Sequence, residues 1–121
     1  MSAQSAYDRI QYYKIGRKQK ASIVAKLKAL FDKDDRVKFA VLFGSLTRGD
    51  NVRDVDVAIH VEPELAFRDF LDLNAQIELK LGMPVDLVEI AKAPAEFRES
   101  ILRNGTLLKG TKIPTMTKGK A

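Results

Sequence analysis

Apolar residues follow two different spacings along this chain, and each spacing predicts one kind of element. From Arg17 to Asp34 they recur every three or four positions, which predicts an amphipathic helix. From Val37 to Phe43 they alternate with other residues, and both faces become apolar near the end. That change is typical of a strand in a sheet that is covered on both sides. A second alternating run, from Asp54 to Val61, predicts another strand.

The next helix is predicted between a proline and a glycine. Pro63 suits the first turn of a helix, while Gly82 followed by Pro84 suits its end. Two polar residues, Asn74 and Glu78, interrupt the apolar stripe, and we expect them to lie at its border. The full predicted stripe comprises Phe67, Phe70, Leu71, Asn74, Ile77, Glu78 and Leu81.

A strand, a helix and a short edge strand are predicted to complete the domain. The third strand runs from Pro84 to Ile90. Pro94 begins the last helix, which directs Phe97, Ile101 and Leu102 inward and ends at Asn104-Gly105. The edge strand runs from Thr106 to Lys109.

These elements predict one domain over residues 17–110, with a segment on either side of it. Residues 1–16 are predicted to form an N-terminal arm or short helix that packs on the domain. The aromatic and basic residues of that arm suit a contact with a partner protein or with nucleic acid as well. Residues 111–121 contain Pro, Gly, Thr and Lys without an apolar period, which predicts a flexible basic tail.

Composition narrows the class of protein. A chain of 121 residues with 45% hydrophobic and 31% charged residues is typical of a single folded domain. It has no Cys, which excludes disulfides and thiolate chemistry and is compatible with the cytoplasm, where we expect the protein. No apolar run approaches the length of a membrane span, so we expect no membrane contact. The net charge of +5 suits nucleotide or nucleic acid but also an ordinary solubilising surface.

Two carboxylates open the second predicted strand. Because side chains on a strand alternate, Asp54 and Asp56 share a face, roughly 7 Å apart along the strand. Val55 and Val57 then point the opposite way, into the core. Like charges at that distance repel unless a cation lies between them. Mg²⁺ is the natural partner, since it commonly takes one or two carboxylates together with phosphate oxygens.

The loop before this strand carries groups suited to phosphate. Gly44 allows a ligand to approach the backbone closely, and Ser45 can donate its hydroxyl and its N–H. Arg48 adds a permanent positive charge. The chain therefore places candidate phosphate donors next to candidate metal ligands.

A third carboxylate, Asp86, lies inside the apolar run of the third strand. A carboxylate there is costly unless other groups satisfy it. A metal site shared with Asp54 and Asp56 would satisfy it, and so would hydrogen bonds from a loop at the mouth of the strand.

These motifs resemble a known family. Phe43-Gly44-Ser45, Arg48-Gly49 and Asp54-Val55-Asp56 are similar to the signature of the DNA polymerase β-like nucleotidyltransferases. Within that superfamily the chain most resembles the minimal nucleotidyltransferases (MNT), the antitoxin-type partners of HEPN toxins. The resemblance spans residues 20 to 110, and Asp86 matches the third Asp of the family's triad. Eight residues, Leu46 to Arg53, separate the Gly-Ser pair from the Asp pair, which is shorter than the family's usual spacing.

The resemblance implies a fold and an activity. The fold would be a single α+β domain with a mixed sheet of three core strands plus a short edge strand, flanked by helices. The activity would be metal-dependent transfer of AMP from ATP to a hydroxyl on a HEPN-type partner. Asp54, Asp56 and Asp86 would be catalytic and bind two Mg²⁺ ions, with Gly44, Ser45 and Arg48 binding the nucleotide.

Two other functions fit the same residues. A non-catalytic antitoxin would block its partner by complex formation, and the shortened loop favours that alternative. A basic protein of this fold would also suit nucleotidyl transfer to RNA. Homo-oligomers and hetero-oligomers are compatible with each function.

Overall fold

The computed structural model describes residues 13–44, 51, 52 and 54–110. The predicted tail of residues 111–121 and most of the predicted arm lie outside these residues. The elements in chain order are β1 (Tyr13–Lys14), α1 (Arg17–Asp32), β2 (Val37–Phe43), β3 (Asn51–Val52), β4 (Val55–Val61), α2 (Phe67–Leu81), β5 (Val85–Glu89), a 3-10 helix (Ile90–Lys92), α3 (Ala95–Asn104) and β6 (Thr106–Lys109).

A mixed sheet of four strands forms the centre of the fold. Its strand order is β5-β4-β2-β6, so β6 lies at an edge as predicted. β2 is antiparallel to both β4 and β6, whereas β4 and β5 are parallel. Parallel neighbours need a crossover connection, and α2 supplies it. The predicted α+β class with a mixed sheet is therefore confirmed.

One face of the sheet packs against α1 and α2. The alternation predicted for β4 is confirmed, because Val55, Val57 and Ile59 are fully buried. They form one cluster with Leu27 and Phe31 of α1 and with residues of α2. This cluster is the larger of the two apolar cores.

The opposite face packs mainly against α3. Phe39 and Val41 of β2 and Ala58 of β4 form a second cluster with Ile90 and Ile101. Both faces of the sheet are therefore covered over its middle, as the apolar end of β2 predicted. Asp56 alternates with Val55 and Val57, so it projects from the α3 face.

The predicted start of α2 at Pro63 is wrong. The backbone N–H of Glu62 donates to the carbonyl of Arg36 at 3.0 Å, so strand-like pairing continues past the end of β4. Pro63 follows a cis peptide bond in the loop, and the helix begins only at Phe67. Ala66, in extended conformation, is the N-cap.

The predicted apolar stripe of α2 is partly wrong. Leu73 and Ile77 are the buried residues of the helix, but the prediction omitted Leu73. Phe67 and Leu71, which it included, are 75% and 49% exposed. At 3.6 residues per turn the same sequence fits two overlapping stripes, and packing on β4 and β5 selects the one through Leu73.

The end of α2 follows the prediction and explains a polar residue in the stripe. Gly82 has the left-handed conformation (φ 71°) that glycine favours as a C-cap. Glu78 accepts the N–H of Val85, the first residue of β5, at 2.8 Å. This bond joins the helix to the next strand. None of the helices in the described ranges has the length and apolar character needed to cross a bilayer.

Candidate active site

Two of the predicted carboxylates face each other across neighbouring strands. Asp56 of β4 and Asp86 of β5 are register partners in the parallel pair. Neighbouring strands lie about 4.8 Å apart, and register partners point to the same face. Phe43 of β2 is the antiparallel partner of Asp56, so one row crosses three strands. The crossover helix α2 produces this placement, because it returns the chain beside β4 in parallel.

A cleft of about 650 Å³ opens above this row of residues. Asp56, Asp86 and Gly44 contribute its polar floor. Phe97 of α3 forms a wall and meets Phe43 edge-to-face, with ring centroids 5.7 Å apart. Asp86 is exposed and Asp56 is half-buried. The cleft can therefore admit a ligand that contacts both carboxylates.

Gly44 is placed against the side chain of Asp56. Its φ of 82° lies in the left-handed region, where a side chain is strained. A Cβ at this position would collide with the Asp56 carboxylate oxygen Oδ2 and would lie 2.8 Å from Asp56 Cγ. Two independent reasons thus require glycine where β2 ends beside the carboxylate.

Asp54 lies in the bend before β4, half-buried and two residues ahead of Asp56. The prediction began the strand at Asp54, but pairing with β5 begins at Val55. Within the described part of the chain, no three His, Cys, Asp or Glu side chains are grouped closely enough to bind a metal ion. The fold therefore brings Asp56 and Asp86 together, without completing a site of three carboxylates.

The predicted phosphate-binding loop is described only at its start. Gly44 lines the cleft, whereas Ser45 and Arg48 lie outside the described residues. The roles of these two residues stay predictions. Gly44, the described start of that loop, therefore lies in the cleft beside Asp56.

Sequence reasoning missed two polar residues of the cleft. Ser100 and Asn104 of α3 line it, and the amide of Asn104 donates to the hydroxyl of Ser100 at 3.5 Å. Ser100 and Asn104 are four residues apart, as Phe97 and Ile101 are. This spacing places the two polar side chains next to each other on the helix surface, and it was the signal in the sequence that could have identified them. The sequence prediction used Asn104 only to mark the end of the helix, and α3 does end at this residue.

The donor set at the carboxylate pair fits a hard divalent cation. Both candidate ligands, Asp56 and Asp86, offer oxygen atoms, and Mg²⁺ commonly uses one or two carboxylates with phosphate oxygens completing its shell. The cleft leaves room for such phosphate oxygens. Asp56 and Asp86 are thus the residues best placed to hold the ion.

Comparisons with known proteins identify the family and the fold of this chain. The model of the polymerase beta nucleotidyltransferase family matches residues 25–113, a range that contains every predicted site residue. No functionally curated protein matches the chain.

Solved structures with the same fold include toxin–antitoxin systems. A protein described as a minimal nucleotidyltransferase is 26% identical, with 71% of this chain and 92% of that chain covered and a TM-score of 0.61. A toxin–antitoxin with AMP-PNP is 27% identical, with coverages of 74% and 73% and a TM-score of 0.60. An MNT antitoxin in complex with a tri-AMPylated Shewanella oneidensis HEPN toxin is 23% identical, with coverages of 79% and 73% and a TM-score of 0.57. At 23% identity this last likeness establishes the fold alone.

The family model spans most of the chain, including β2, which ends just before Gly44, and the strands that carry Asp56 and Asp86. The structural neighbours share the arrangement of these strands and helices. The chain belongs to the polymerase beta nucleotidyltransferase family.

Proposed function

We propose that this protein transfers AMP from ATP to a hydroxyl group on a partner protein and acts as the antitoxin of a toxin–antitoxin pair. The observation that carries the proposal is the register of Asp56 and Asp86 in a cleft that also contains Gly44. Two carboxylates beside a close-approach glycine suit a metal-bound triphosphate better than an uncharged ligand.

Each predicted residue has a role in this reaction. Asp56 and Asp86 would hold Mg²⁺, with Asp54 as a further carboxylate ligand when the metal-bound triphosphate is present. The backbone at Gly44, the hydroxyl and N–H of Ser45 and the guanidinium of Arg48 neutralise phosphate oxygens. When bound, the two metal ions supply charge stabilisation at the attacking and leaving oxygens.

The transfer itself is a single displacement. The acceptor oxygen forms a bond to the α-phosphorus while the bond from that phosphorus to the oxygen bridging to the β-phosphate breaks. Pyrophosphate leaves with the electron pair, and the hydroxyl proton passes to the carboxylate of Asp86. Catalysis consists of positioning and charge stabilisation, and no covalent enzyme intermediate forms.

The choice of nucleotide and partner rests on similarity. One neighbour at 27% identity is a toxin–antitoxin with AMP-PNP, which supports an adenine nucleotide and a toxin as partner. The resemblance to minimal nucleotidyltransferases supports a HEPN-type toxin. Proteins of this fold also include an MNT antitoxin in complex with an AMPylated HEPN toxin.

A contact-only antitoxin is the second candidate. The observation that favours it is the lack of a grouped set of three metal-binding side chains in the described residues. Such a protein would bind its toxin tightly and transfer nothing.

Incubation with ATP labelled at the α-phosphate, Mg²⁺ and a candidate HEPN-type partner protein separates the two functions. We expect label on the partner and at least about a hundredfold loss of transfer in Asp56→Asn, since a metal ligand is removed. Asp72→Asn, on the solvent side of α2, is the matched control and keeps full transfer. A tight complex without any label would assign the contact-only function instead.

A further inference from the structure

The positive charge of the domain over residues 17–110 is concentrated in one helix. Residues 17–33, which comprise α1 and its C-cap, contain six Lys or Arg residues and one acidic residue. Their net charge of +5 equals that of the whole chain. Residues 34–110 contain ten basic and fourteen acidic residues, so the rest of the domain is negative. A balanced solubilising surface would spread both signs over all elements.

The exposed side of α1 has a regular layout. Ile23, Leu27 and Phe31 face the sheet and are buried. The basic residues on the exposed surface are Arg17, Lys18, Lys26, Lys28 and Lys33. Between them runs a strip of small exposed residues, namely Ala21, Ser22, Ala25 and Ala29. By the rise of an α-helix this surface is about 24 Å long. We call it the α1 basic face.

Two of these charges, on Arg17 and Lys18, are placed unfavourably for the helix that carries them. Arg17 and Lys18 occupy the first turn, next to the positive end of the helix dipole, and that turn has no acidic residue. Asp32 is at the negative end, where the last turn has no basic residue. Both placements are unfavourable for the dipole. Of the α1 basic face only Lys33, at the C-cap, lies at the end of the helix that favours a cation, so the dipole does not account for the other four charges.

The charges of the α1 basic face are available to a ligand. None of its five basic residues forms an ion pair with any residue in the described ranges. Because α1 packs on the Val55 and Val57 side of β4, its exposed surface faces away from the cleft on the Asp56 side. A ligand on this face would leave the transfer site open.

We propose that the α1 basic face binds the phosphate backbone of nucleic acid, without reading its sequence. Protein–protein interfaces are depleted in Lys and centred on aromatic or other large apolar residues, and the strip between these lysines has none. Contacts to phosphates come largely from Lys and Arg and need no apolar complement. The small residues let a phosphate backbone approach the helix closely, within reach of the surrounding Lys and Arg side chains. The charge of this face therefore suits a polyanion with regularly spaced phosphates.

The test is the affinity of the full chain for a fluorescein-labelled RNA hairpin and a DNA duplex of the same stem, measured over a range of salt. The first variant carries Lys18→Ala, Lys26→Ala and Lys28→Ala. The control variant removes the same charge elsewhere through Lys38→Ala, Lys80→Ala and Arg103→Ala, all of them exposed. Alanine is the best helix former, so α1 keeps its structure, which circular dichroism verifies.

We expect the α1 variant to lose at least about tenfold in affinity at low salt, and its slope of log K against log salt to fall by about 2 to 3. The control should change the affinity less than about threefold, as bulk charge alone would.

Equal losses in both variants would overturn the proposal, because the effect would then follow net charge. Preference for polyglutamate over both nucleic acids would overturn it too, in favour of an acidic protein. Binding to RNA and DNA alike supports a backbone contact, whereas dependence on the base sequence of the stem contradicts it.

The same variants separate this proposal from the transferase. Transfer of label to the partner should be unchanged in the α1 variant, since its lysines face away from Asp56 and Asp86. A protein without any transferase activity would still show the loss of nucleic-acid affinity.

Discussion

Asp56 of β4 and Asp86 of β5 are register partners on adjacent parallel strands, so their carboxylates stand side by side on one face of the sheet. Neither side chain belongs to the two apolar clusters of the described residues. A divalent ion bound between the two carboxylates would replace their mutual repulsion by attraction to the ion. The resulting change in stability can be measured without knowing which hydroxyl accepts the nucleotide.

Replacing Asp86 by Asn should therefore change how Mg²⁺ affects stability. In metal-free buffer, Asp86→Asn should unfold at the same temperature as the parent or higher, because one of two neighbouring like charges is gone. With Mg²⁺ and a non-hydrolysable ATP analogue, the parent should gain melting temperature and the variant should gain much less. Thermal scans by circular dichroism measure both. Equal stabilisation of the two proteins would show that Asp86 does not contribute to the metal and nucleotide site.

Two glycines with similar backbone angles allow the effect of the contact between Gly44 and Asp56 to be separated from the effect of backbone strain. Gly44 has φ 82° and Gly82 has φ 71°, but only Gly44 has atoms in the space that a Cβ would fill. Gly82→Ala should cost only the left-handed strain, about 1–2 kcal/mol of unfolding free energy. Gly44→Ala should cost more, because the new Cβ also displaces the Asp56 carboxylate.

Urea unfolding measures the free energies of unfolding of the two variants. Transfer assays measure the effect of each substitution on activity. Gly44→Ala should lower transfer strongly, whereas Gly82→Ala should leave it near the parent level, since α2 ends away from the cleft. If the two substitutions cost the same free energy, the close approach of Gly44 to Asp56 would be absent in solution.

Much of this architecture is predictable from local pattern. The alternation of Val55, Val57 and Ile59 identified the buried face of β4, and the same period of two placed Asp56 on the other face. The bounds of β2 were predicted to the residue, because its apolar run ends at Gly44. Strong periodicity and a clear stop signal are what made these elements readable.

Other features depend on contacts that local pattern does not contain. The short pairing of β1 with β3 joins two-residue segments far apart in sequence, and two residues carry no period. The partnership of Asp56 with Asp86 depends on the parallel direction of β5, which the crossover decides. Ser100 and Asn104 enter the cleft only because α3 covers that face.

The stripe of α2 offers a matched pair of leucines. Leu73 is 1% exposed in the larger core, whereas Leu79 is 84% exposed on the same helix. Leu73→Ala should destabilise the domain by about 2–5 kcal/mol through lost burial and a cavity. Leu79→Ala should stay within about 0.5 kcal/mol of the parent, because little buried area is lost. Urea unfolding at neutral pH measures the difference. Comparable losses would mean that α2 is rotated about its axis, with Leu79 turned toward the sheet.

The turn between α1 and β2 should make stability depend on acid pH. Asp34 Oδ1 accepts the Nε–H of Arg36 at 2.8 Å, and Oδ2 accepts from the second guanidinium nitrogen at 2.7 Å. The hydrogen bond and charge of Arg36 hold the pKa of Asp34 below its usual range. A carboxyl group whose pKa is lowered on folding stabilises the protein at pH values above the pKa that the group has in the unfolded chain, which is about 4. That contribution is lost as the pH falls through the folded pKa.

Asp34→Asn should therefore cost about 0.5–1.5 kcal/mol at pH 7, a range set by the partly exposed Arg36. The difference from the parent should shrink as the pH falls below about 4, where the parent carboxyl becomes protonated and loses the same interaction. Asp35→Asn is the control, since this neighbour in the same turn is exposed. Urea unfolding at a series of pH values measures all three proteins. If the difference in unfolding free energy between Asp34→Asn and the parent stayed constant down to the lowest pH, the loss would come from the packing of the amide. An ionic contribution would disappear when the parent carboxyl becomes protonated.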